Sequence, residues 1–315
     1  MTKTQKYFTL TNLVEVLTAI LLLQNLLSYF PQIYFGFELL SHFRPQYCFL
    51  SLLSSIYFLI VKQKLWSSLC LICLSINLFS ILPIYLEHHP QTPVKTPTLI
   101  SAMSINVLAL NQNKKAVIDL IKAKNPTLIS LQEVNNSWDK SLVVLDKTYP
   151  YKLVIPQEDN FGIALFSQLP LTESKVITYT KNSGPSITAK IEFQNTNIDI
   201  LVTHPRPPIN KMQFDQRNQH IINLSRSISI NSNTILMGDL NVSMWSPYYK
   251  PLGQIAGLTN SRQGFGVFPT WPMHLPLLQI PIDHILVSSK FKILKTERLK
   301  HIGSDHLPIY CELEI

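Results

Sequence analysis

The chain has 315 residues, of which 46% are hydrophobic, and a formal net charge of +8. The first 97 residues hold six of the 27 basic and three of the 19 acidic residues, which leaves 21 and 16 for the remainder, a net charge of +5. So mild an excess of basic residues does not by itself support the prediction of a nucleic-acid-binding protein. Only Cys311 of the four cysteines lies outside the apolar N-terminal segments, so the C-terminal part has no internal disulfide.

Three apolar runs occupy the N-terminal third of the sequence: Phe8–Phe30, Tyr47–Val61 and Leu65–Leu86. As a helix the first run would be roughly 35 Å long, enough to cross a bilayer. It lacks the small residues of a signal-peptide cleavage site, which favours an uncleaved anchor. The second run has only 15 residues and is also compatible with a re-entrant or interfacial segment. We expect residues 1–87 to form a membrane anchor of about three transmembrane helices.

Basic residues predict how this anchor is oriented. If all three runs cross, the positive-inside rule places Lys3, Lys6, Lys62 and Lys64 in the cytoplasm, and the C-terminal domain is then extracytoplasmic. If the second run does not cross, the domain lies in the cytoplasm. The favoured interpretation is a multi-pass protein of a bacterial-type inner (plasma) membrane with an extracytoplasmic domain.

The polar groups inside these runs have structural explanations. Glu15 lies near the N-terminal end of the first run and can reach the lipid headgroups, although an intramembrane acid is also a functional candidate. Cys70 and Cys73 have CxxC spacing, but without a His or Asp partner they favour helix packing over a metal or redox site. Residues 88–98 are rich in Pro and Thr, which is typical of a stiff linker.

The C-terminal domain, residues 99–315, begins with a strand, a helix and a second strand. The strands are predicted over Leu99–Leu108 and Leu128–Glu133, with the helix ending before Pro126. A right-handed crossover between parallel strands places both strand ends at one edge, where Asn106 and Glu133 would be neighbours. Carboxylate and amide oxygens suit a hard cation better than zinc. Taken alone, Glu133 is equally compatible with the start of a solvated loop.

The middle of the domain predicts three strands and one amphipathic helix: Gly162–Phe166, Ile187–Phe193, Ile198–Thr203 and the helix Met212–Ile230. His204 follows the third of these strands directly, where a histidine before proline is also typical of a strand-end cap. Arg217, on the helix, is more typical of a surface charge than of a phosphate ligand.

Two strand ends in the last third carry further polar groups. The buried run Thr234–Met237 breaks at Gly238, so Asp239 and Asn241 lie where a strand opens into a loop, although such a sequence also forms ordinary turns. Asp283 opens another strand.

The tail repeats this arrangement in reverse. Asp305 and His306 precede the final strand, Leu307–Ile315. A Ser-His-Asp relay made of Ser304, Asp305 and His306 is excluded, because adjacent residues on a strand point to opposite faces.

These motifs resemble the endonuclease/exonuclease/phosphatase superfamily, which includes deoxyribonuclease I, abasic-site nucleases, inositol-phosphate phosphatases and neutral sphingomyelinases. The matching motifs occur in the family's order: Asn106-Val, Leu131-Gln-Glu133-Val, Thr203-His204, Gly238-Asp-Leu-Asn241, Ile282-Asp283-His and Ser304-Asp-His306. The motifs Thr203-His-Pro-Arg-Pro-Pro and Pro269-Thr-Trp-Pro are similar to a bacterial membrane-anchored subgroup. The resemblance implies an α/β (α+β) fold, a four-layer sandwich of two packed mixed β-sheets flanked by helices, here preceded by transmembrane helices.

The resemblance also implies a role for each matching residue. The ligands of Mg²⁺, with Mn²⁺ as the alternative ion, would be Glu133, Asn106 and Asp305. Among the catalytic residues, Asp239 would orient or deprotonate the attacking water, and Asn241 would hold a phosphate oxygen or that water. His306 would contact the phosphate, with its tautomer fixed by Asp283. His204 would contact the phosphate or help the leaving group depart. Where deoxyribonuclease I pairs its corresponding histidine with a glutamate, the nearest candidate here is Asn160.

The predicted function is therefore a membrane-anchored Mg²⁺-dependent phosphoesterase acting by metal-assisted attack of water. Its partners would be a phosphate ester, either nucleic acid, phospholipid headgroup or small phosphate ester, and the lipid bilayer itself. The alternative is a membrane-tethered binding module with an inactive phosphoesterase-like site.

Overall fold

The computed structural model describes residues 9–86 and 99–315. It divides into two compact units, one up to Pro83 and one from Ile84 onward. The predicted linker at 88–98, as well as Lys3 and Lys6, lies outside the described residues.

The N-terminal unit contains four α-helices: α1 (Leu10–Leu27), α2 (Phe35–Leu39), α3 (Arg44–Ile60) and α4 (Lys64–Ile81), with 3₁₀ turns at Leu40–Phe43 and Leu82–Ile84. By length and composition, two helices of the described residues could cross a membrane, Leu10–Leu27 and Lys64–Ile84. The second predicted run forms α3, which has 17 residues and lies at the lower limit for a span. Three crossings and their orientation therefore stay a prediction.

Several polar groups in this unit have hydrogen-bond partners. Gln63 Nε2 donates to Glu15 Oε1 at 2.7 Å, so Glu15 is hydrogen-bonded within the unit. Cys70 and Cys73 are free thiols buried on α4, as expected for residues that pack helices together. Buried Arg44 donates to Asn25 and other polar side chains.

The second unit contains two six-stranded sheets among the described residues. The first sheet consists, from edge to edge, of β11 (Lys292–Arg298), β12 (Ile309–Glu314), β1 (Leu99–Asn106), β2 (Leu128–Gln132), β4 (Ile163–Ser167) and β3 (Tyr151–Ile155). The second consists of β5 (Thr172–Ile177), β6 (Ser186–Phe193), β7 (Thr196–Thr203), β8 (Thr234–Asp239), β10 (Asp283–Ser288) and β9 (Leu258–Asn260). The helices of this unit are α5 (Lys114–Lys124), α6 (Asn136–Leu142), α7 (Lys211–Ser227) and α8 (Lys250–Gln254).

Three apolar cores hold these elements in layers. Inward-facing residues of both sheets, such as Leu165 and Ile200, form one core between the sheets. A second core packs α5 and α6 on the first sheet, with Trp138 fully buried. A third packs α7 and α8 on the second sheet through residues such as Leu224 and Leu252. The order helix, sheet, sheet, helix confirms the predicted four-layer sandwich.

Strand direction brings the predicted polar residues to one edge of both sheets. In the first sheet β1 and β2 are parallel, so Asn106 and Glu133 leave the sheet side by side. In the second sheet β7 and β8 are parallel, which does the same for His204 and Asp239. Strand β10 runs antiparallel to β8 with Asp283 opposite Asp239.

Two sequence predictions need correction. Arg217 is fully buried in α7 and is not a surface charge, because its guanidinium lies beneath the loop that follows β8. The predicted Leu99–Leu108 strand ends at Asn106, since Leu108 adopts a left-handed backbone with φ 58°.

We predict that Gly238→Ala strongly destabilises the second unit. A Cβ at this position would lie 1.9 Å from the Thr203 carbonyl oxygen on the neighbouring strand β7, and backbone cannot move aside as a side chain can. The expected loss is about 3 kcal/mol or more of unfolding free energy, the upper range for overpacking. Thermal unfolding of the full chain in detergent measures it.

The matched control is Gly253→Ala in α8, where the nearest atom to a new Cβ is 3.6 Å away. Because alanine favours helix over glycine, this variant should be as stable as the wild type or slightly more stable. Equal effects at the two positions would contradict the packing argument.

Candidate active site

The amide of Asn106, at the end of β1, joins the two halves of the candidate site. Its Nδ2 donates to Glu133 Oε1 at 2.9 Å and to Asp239 Oδ2 at 3.2 Å. The Leu108 N–H donates to Asn106 Oδ1 at 3.1 Å, which fixes the amide with its NH₂ toward the carboxylates. One side chain of the first sheet thus contacts an acid from each sheet.

Asp239 lies between two imidazoles. Its Oδ2 is 3.5 Å from His204 Nε2 and 3.7 Å from His306 Nε2, and all three side chains are buried. Its other oxygen, Oδ1, accepts the Asn241 N–H at 2.9 Å. Burial alone would raise the pKa of Asp239, but the charges of His306 and His204 and these contacts lower it to about 2. The carboxylate is therefore ionised over the whole physiological range.

His306 is held by a second acid. Its Nδ1 lies 2.9 Å from Asp283 Oδ2, which makes Nδ1 the donor and directs Nε2 toward Asp239. Burial favours the neutral ring, yet the charges of Asp283 and Asp239 and the bond to Asp283 raise the pKa of His306 to about 10. His306 is thus an imidazolium with a fixed orientation.

His204 has a different environment. Burial lowers its pKa, but the adjacent Asp239 and the charge of Glu133 outweigh that effect and raise it overall. The ring packs against Phe161 in a tilted arrangement, with centroids 5.5 Å apart. Its buried Nδ1 has no hydrogen-bond partner among the described residues. Asn160, the sequence-based candidate for that partner, is exposed, so the protonation of His204 depends on the Asp239 side of the ring.

Asn241 and Asp305 complete the predicted set. Asn241 Nδ2 donates to the carbonyl of Pro205, which follows His204, at 3.0 Å. Asp305 Oδ2 accepts Trp271 Nε1–H at 3.0 Å, whereas its buried Oδ1 has no hydrogen-bond partner in the described part of the chain. The structure therefore brings all eight predicted residues to one edge, with Asp305 beside His306.

Three supporting residues were missed or misassigned by the sequence argument. Arg217 Nη1 donates to the Asn241 carbonyl at 2.8 Å and supports a residue with a left-handed φ of 50°. Ser304 Oγ donates to the Asn106 carbonyl at 2.7 Å and accepts the His306 N–H at 3.1 Å, which ties the tail to β1. Trp271 had a signal in the Pro269-Thr-Trp-Pro motif. Ser304 likewise stood in the Ser304-Asp-His306 motif, but its bond to the Asn106 carbonyl had no signal. Arg217 had none, because its partner is a backbone group of a distant segment.

The residues fit an oxygen-loving divalent cation. Glu133 and Asp239 share the NH₂ of Asn106, and Asp305 keeps a buried oxygen for which none of residues 9–86 and 99–315 provides a donor, which is costly unless a positive charge reaches it. These are the oxygen donors that Mg²⁺ prefers.

A second acidic cluster is less suited to a metal. One atom from each of Asp239, Asp283 and His306 lies within 4.8 Å of the others. Asp283 Oδ2 already accepts the His306 Nδ1–H, however, so this oxygen is not free for a metal ion. The pKa of about 10 for His306 also puts a proton on Nε2, where a metal ion would need a lone pair. We interpret these three residues as a proton-holding relay, and Glu133 and Asp305 as the candidate metal ligands. The third residue of the predicted ligand set, Asn106, directs its NH₂ and not its oxygen toward Glu133, so in this structure it orients that carboxylate.

Comparison with protein families decides the assignment. The Endonuclease/Exonuclease/phosphatase family matches residues 103–306, about two thirds of the chain and a range that contains all eight candidate residues. The chain belongs to this family. Family members are phosphoester hydrolases that generally use a divalent metal ion, so this endonuclease/exonuclease/phosphatase protein is assigned as an enzyme of the nuclease/phosphatase type. The bacterial membrane-anchored subgroup stays a prediction.

Solved structures agree on the fold. A humanized TDP2 from D. rerio has a TM-score of 0.60 at 17% identity, covering 69% of this chain and 99% of that one. The catalytic domain of human Nocturnin, with a bound sulfate anion, has a TM-score of 0.59 at 22% identity, covering 69% of this chain and 93% of that one. An endonuclease/exonuclease/phosphatase from Beutenbergia cavernae has a TM-score of 0.57 at 15% identity, covering 69% of this chain and 72% of that one. The search of curated proteins gave no significant match.

We predict a pH-dependent effect of Asp283→Asn on stability. Because the pKa of His306 is about 10 in the fold and 6.5 as its ordinary value, its contribution is fully present below pH 6.5 and lost as the pH rises toward 10. Removing Asp283 should cost about 3–5 kcal/mol at pH 6 and clearly less at pH 10. Thermal unfolding of the full chain in EDTA at both pH values measures the difference.

Asp119→Asn serves as the control, because Asp119 is an exposed acid paired with Lys115 on the surface of α5. Its effect should be small at both pH values. A loss of stability in Asp283→Asn that is the same at pH 6 and pH 10 would contradict the imidazolium assignment.

Proposed function

We propose that this protein is a membrane-anchored, Mg²⁺-dependent phosphoesterase, with Mn²⁺ as the alternative ion, that cleaves a phosphodiester or phosphomonoester by direct attack of water. The observation that carries the proposal is the buried Asp239 carboxylate between two imidazoles, one of them fixed by Asp283, with Glu133 alongside. Such a group of preorganised charges suits a reaction in which negative charge shifts between phosphate oxygens.

Asp239 is the residue that positions the attacking water. Its Oδ2 faces the interior of the site, and a pKa of about 2 keeps it ionised as an acceptor for a water O–H. So weak a base aligns the water better than it removes its proton in the ground state. The water oxygen then forms the new bond to phosphorus in line with the ester oxygen that leaves.

The two imidazoles act on the phosphate. His306 Nε2–H would donate to a non-bridging oxygen and stabilise the charge that develops there. His204, on the opposite side of Asp239, would contact the phosphate or give its proton to the leaving oxygen. Asn241, fixed by Pro205 and Asp239, would hold a phosphate oxygen or the water.

Glu133 and Asp305 would hold the metal ion, which when bound supplies positive charge that neutralises the phosphate. Asn106, the third residue of the predicted ligand set, would orient Glu133 through its NH₂. The chain's own contribution is the placement of these oxygens. Ala109 N–H donates to Glu133 Oε2 at 3.2 Å, and Trp271 orients Asp305.

Three classes of substrate are candidates, on the basis of one related structure and of the apolar helices. A TDP2 from D. rerio has been solved with a single-strand DNA product, which keeps nucleic acid among the candidates. The two apolar helices favour a phosphate ester at or near a membrane, such as a phospholipid headgroup, and small phosphate esters complete the set. We further propose a multi-pass inner-membrane protein with an extracytoplasmic catalytic domain over residues 99–315, joined by residues 88–98 to the anchor 1–87.

We predict that Asp239→Ala and His306→Ala each lower kcat/KM by roughly 10²-fold or more, because each removes a charge that acts on the transition state. Full chain in detergent with Mg²⁺ would be assayed on plasmid DNA, RNA, bis-p-nitrophenyl phosphate, sphingomyelin and phosphoinositides. Asp119→Ala, a surface variant, should retain full activity. Activity that survives both site substitutions would contradict the roles assigned here. If none of these substrates were hydrolysed although metal binding was intact, a tethered binding module with an inactive site would be favoured.

Metal binding has a separate prediction. Mg²⁺ or Mn²⁺ should raise the thermal unfolding temperature of the wild type, since a ligand that binds only the folded state stabilises it. Glu133→Gln should lose most of this shift, because it removes one negative charge from the ligand set while preserving the shape. A metal-induced shift that is unchanged in Glu133→Gln, or absent in the wild type, would contradict the ligand assignment.

A further inference from the structure

The most exposed large apolar side chains of the second unit lie beside the candidate site. Among the described residues from 99 onward, the four highest exposures are those of Leu277 (82%), Leu110 (77%), Ile209 (74%) and Met212 (63%). Leu275 and Leu278 are also exposed. We name these six side chains the apolar rim.

Each segment that carries the rim is bonded to a candidate active-site residue or its neighbour. Next to Leu110, the Ala109 N–H donates to Glu133 Oε2. Four residues before Ile209, the Pro205 carbonyl accepts Asn241 Nδ2–H. Ahead of the leucines at 275, 277 and 278, the Met273 N–H donates to the Asp305 carbonyl at 2.8 Å. The rim therefore borders the catalytic edge.

Isolated exposed apolar residues are normal on any protein surface and need no explanation. The rim differs because it comes from three separate segments of the chain, 107–113, 205–212 and 271–279, that meet at one functional edge. None of these segments contains an aspartate or glutamate, and their lysine and arginine residues are Arg206 and Lys211, of which Lys211 is paired with Asp215 just beyond its segment. Apolar tips beside the positive charge of Arg206 match an anionic lipid surface, into whose headgroup region such side chains insert.

We infer that the apolar rim docks the catalytic edge onto a lipid bilayer, so that the phosphate ester reaching the site is one displayed on a lipid headgroup. The inference rests on the proposed function for the chemistry. The bilayer is the chosen occupant because the same chain carries two helices that could cross one, which keeps a bilayer within reach of the second unit. Insertion of the rim would bring headgroup phosphates to the level of the edge where Glu133 and Asp239 lie.

Site-specific quenching tests the docking. Full chain carrying Cys48→Ser is labelled with a fluorophore at Leu277→Cys, because Cys70, Cys73 and Cys311 are buried. It is then reconstituted in vesicles of phosphatidylethanolamine and phosphatidylglycerol with brominated acyl chains. The matched control is Ile230→Cys, which is 62% exposed but precedes β8 at the end opposite Asp239.

Brominated lipid should quench the label at position 277 by about threefold more than the label at 230, as expected for a side chain inserted at the interface. Equal quenching at both positions would overturn the docking. Shielding of position 277 from aqueous iodide without quenching by lipid would also overturn it and indicate a second copy or another protein on the rim.

Activity tests the substrate class. Leu277→Asp should lower the hydrolysis of phosphatidylinositol phosphate in such vesicles by roughly tenfold, since a charge opposes insertion, whereas Ile230→Asp should not. Faster cleavage of plasmid DNA than of vesicle-borne esters by the wild type would overturn the lipid assignment. Hydrolysis of bis-p-nitrophenyl phosphate by the wild type tests the proposed phosphoesterase chemistry separately from docking. If the wild type did not hydrolyse this compound, the proposed function would be refuted, and the quenching experiment would still test the docking.

Discussion

The Asp239 carboxylate is the group on which the arrangement of the site depends. It ends β8 of the second sheet, accepts the amide of Asn106 from the first sheet, and lies against His204 and His306. A buried charge of this kind is costly unless opposite charge and hydrogen-bond donors surround it. The two sheets must therefore pack in the register that brings those donors to one edge, and Gly238, which permits close approach to the Thr203 carbonyl, makes that packing possible.

The same electrostatics prepares the site for phosphate chemistry. His306 is charged because Asp283 and Asp239 both face it, and Asp239 is ionised because two imidazoles face it, so neither group must reorganise as a phosphate ester reacts. On the other side, Glu133 presents two carboxylate oxygens with one donor each, and Asp305 presents a buried oxygen for which no described residue provides a donor; this environment attracts a hard cation. The site thus separates a cation-binding half from a proton-holding half, with Asn106 between them.

The layers and the eight candidate residues were predictable from the sequence, whereas the contacts that support the site were not, and the difference has a physical reason. All eight candidate residues were found as polar residues at the ends of apolar strands. This pattern is informative because neighbouring parallel strands end at the same edge of a sheet, as the strands before Asn106 and Glu133 do. The supporting contacts of Arg217 and Ser304 were not predicted, since each contacts a backbone carbonyl of a segment remote in sequence, and no local pattern encodes such a contact. An arginine on an amphipathic helix is typically a surface charge, but the position of Arg217 under the Asn241 loop buries it. That His204 Nδ1 has no partner among the described residues likewise depends on how the Asn160 loop folds, which residue identity alone does not determine.

The division of the site into two halves can be tested by anomalous diffraction from crystals of the full chain soaked with Mn²⁺. The account predicts a single strong anomalous peak in contact with the Glu133 and Asp305 carboxylates, with His306 still bonded to Asp283 and free of metal. A peak instead coordinated by Asp239, Asp283 and His306, whose atoms already lie within 4.8 Å of one another, would contradict it. In that case His306 would be a neutral metal ligand, and the proposed roles of both imidazoles would have to be abandoned.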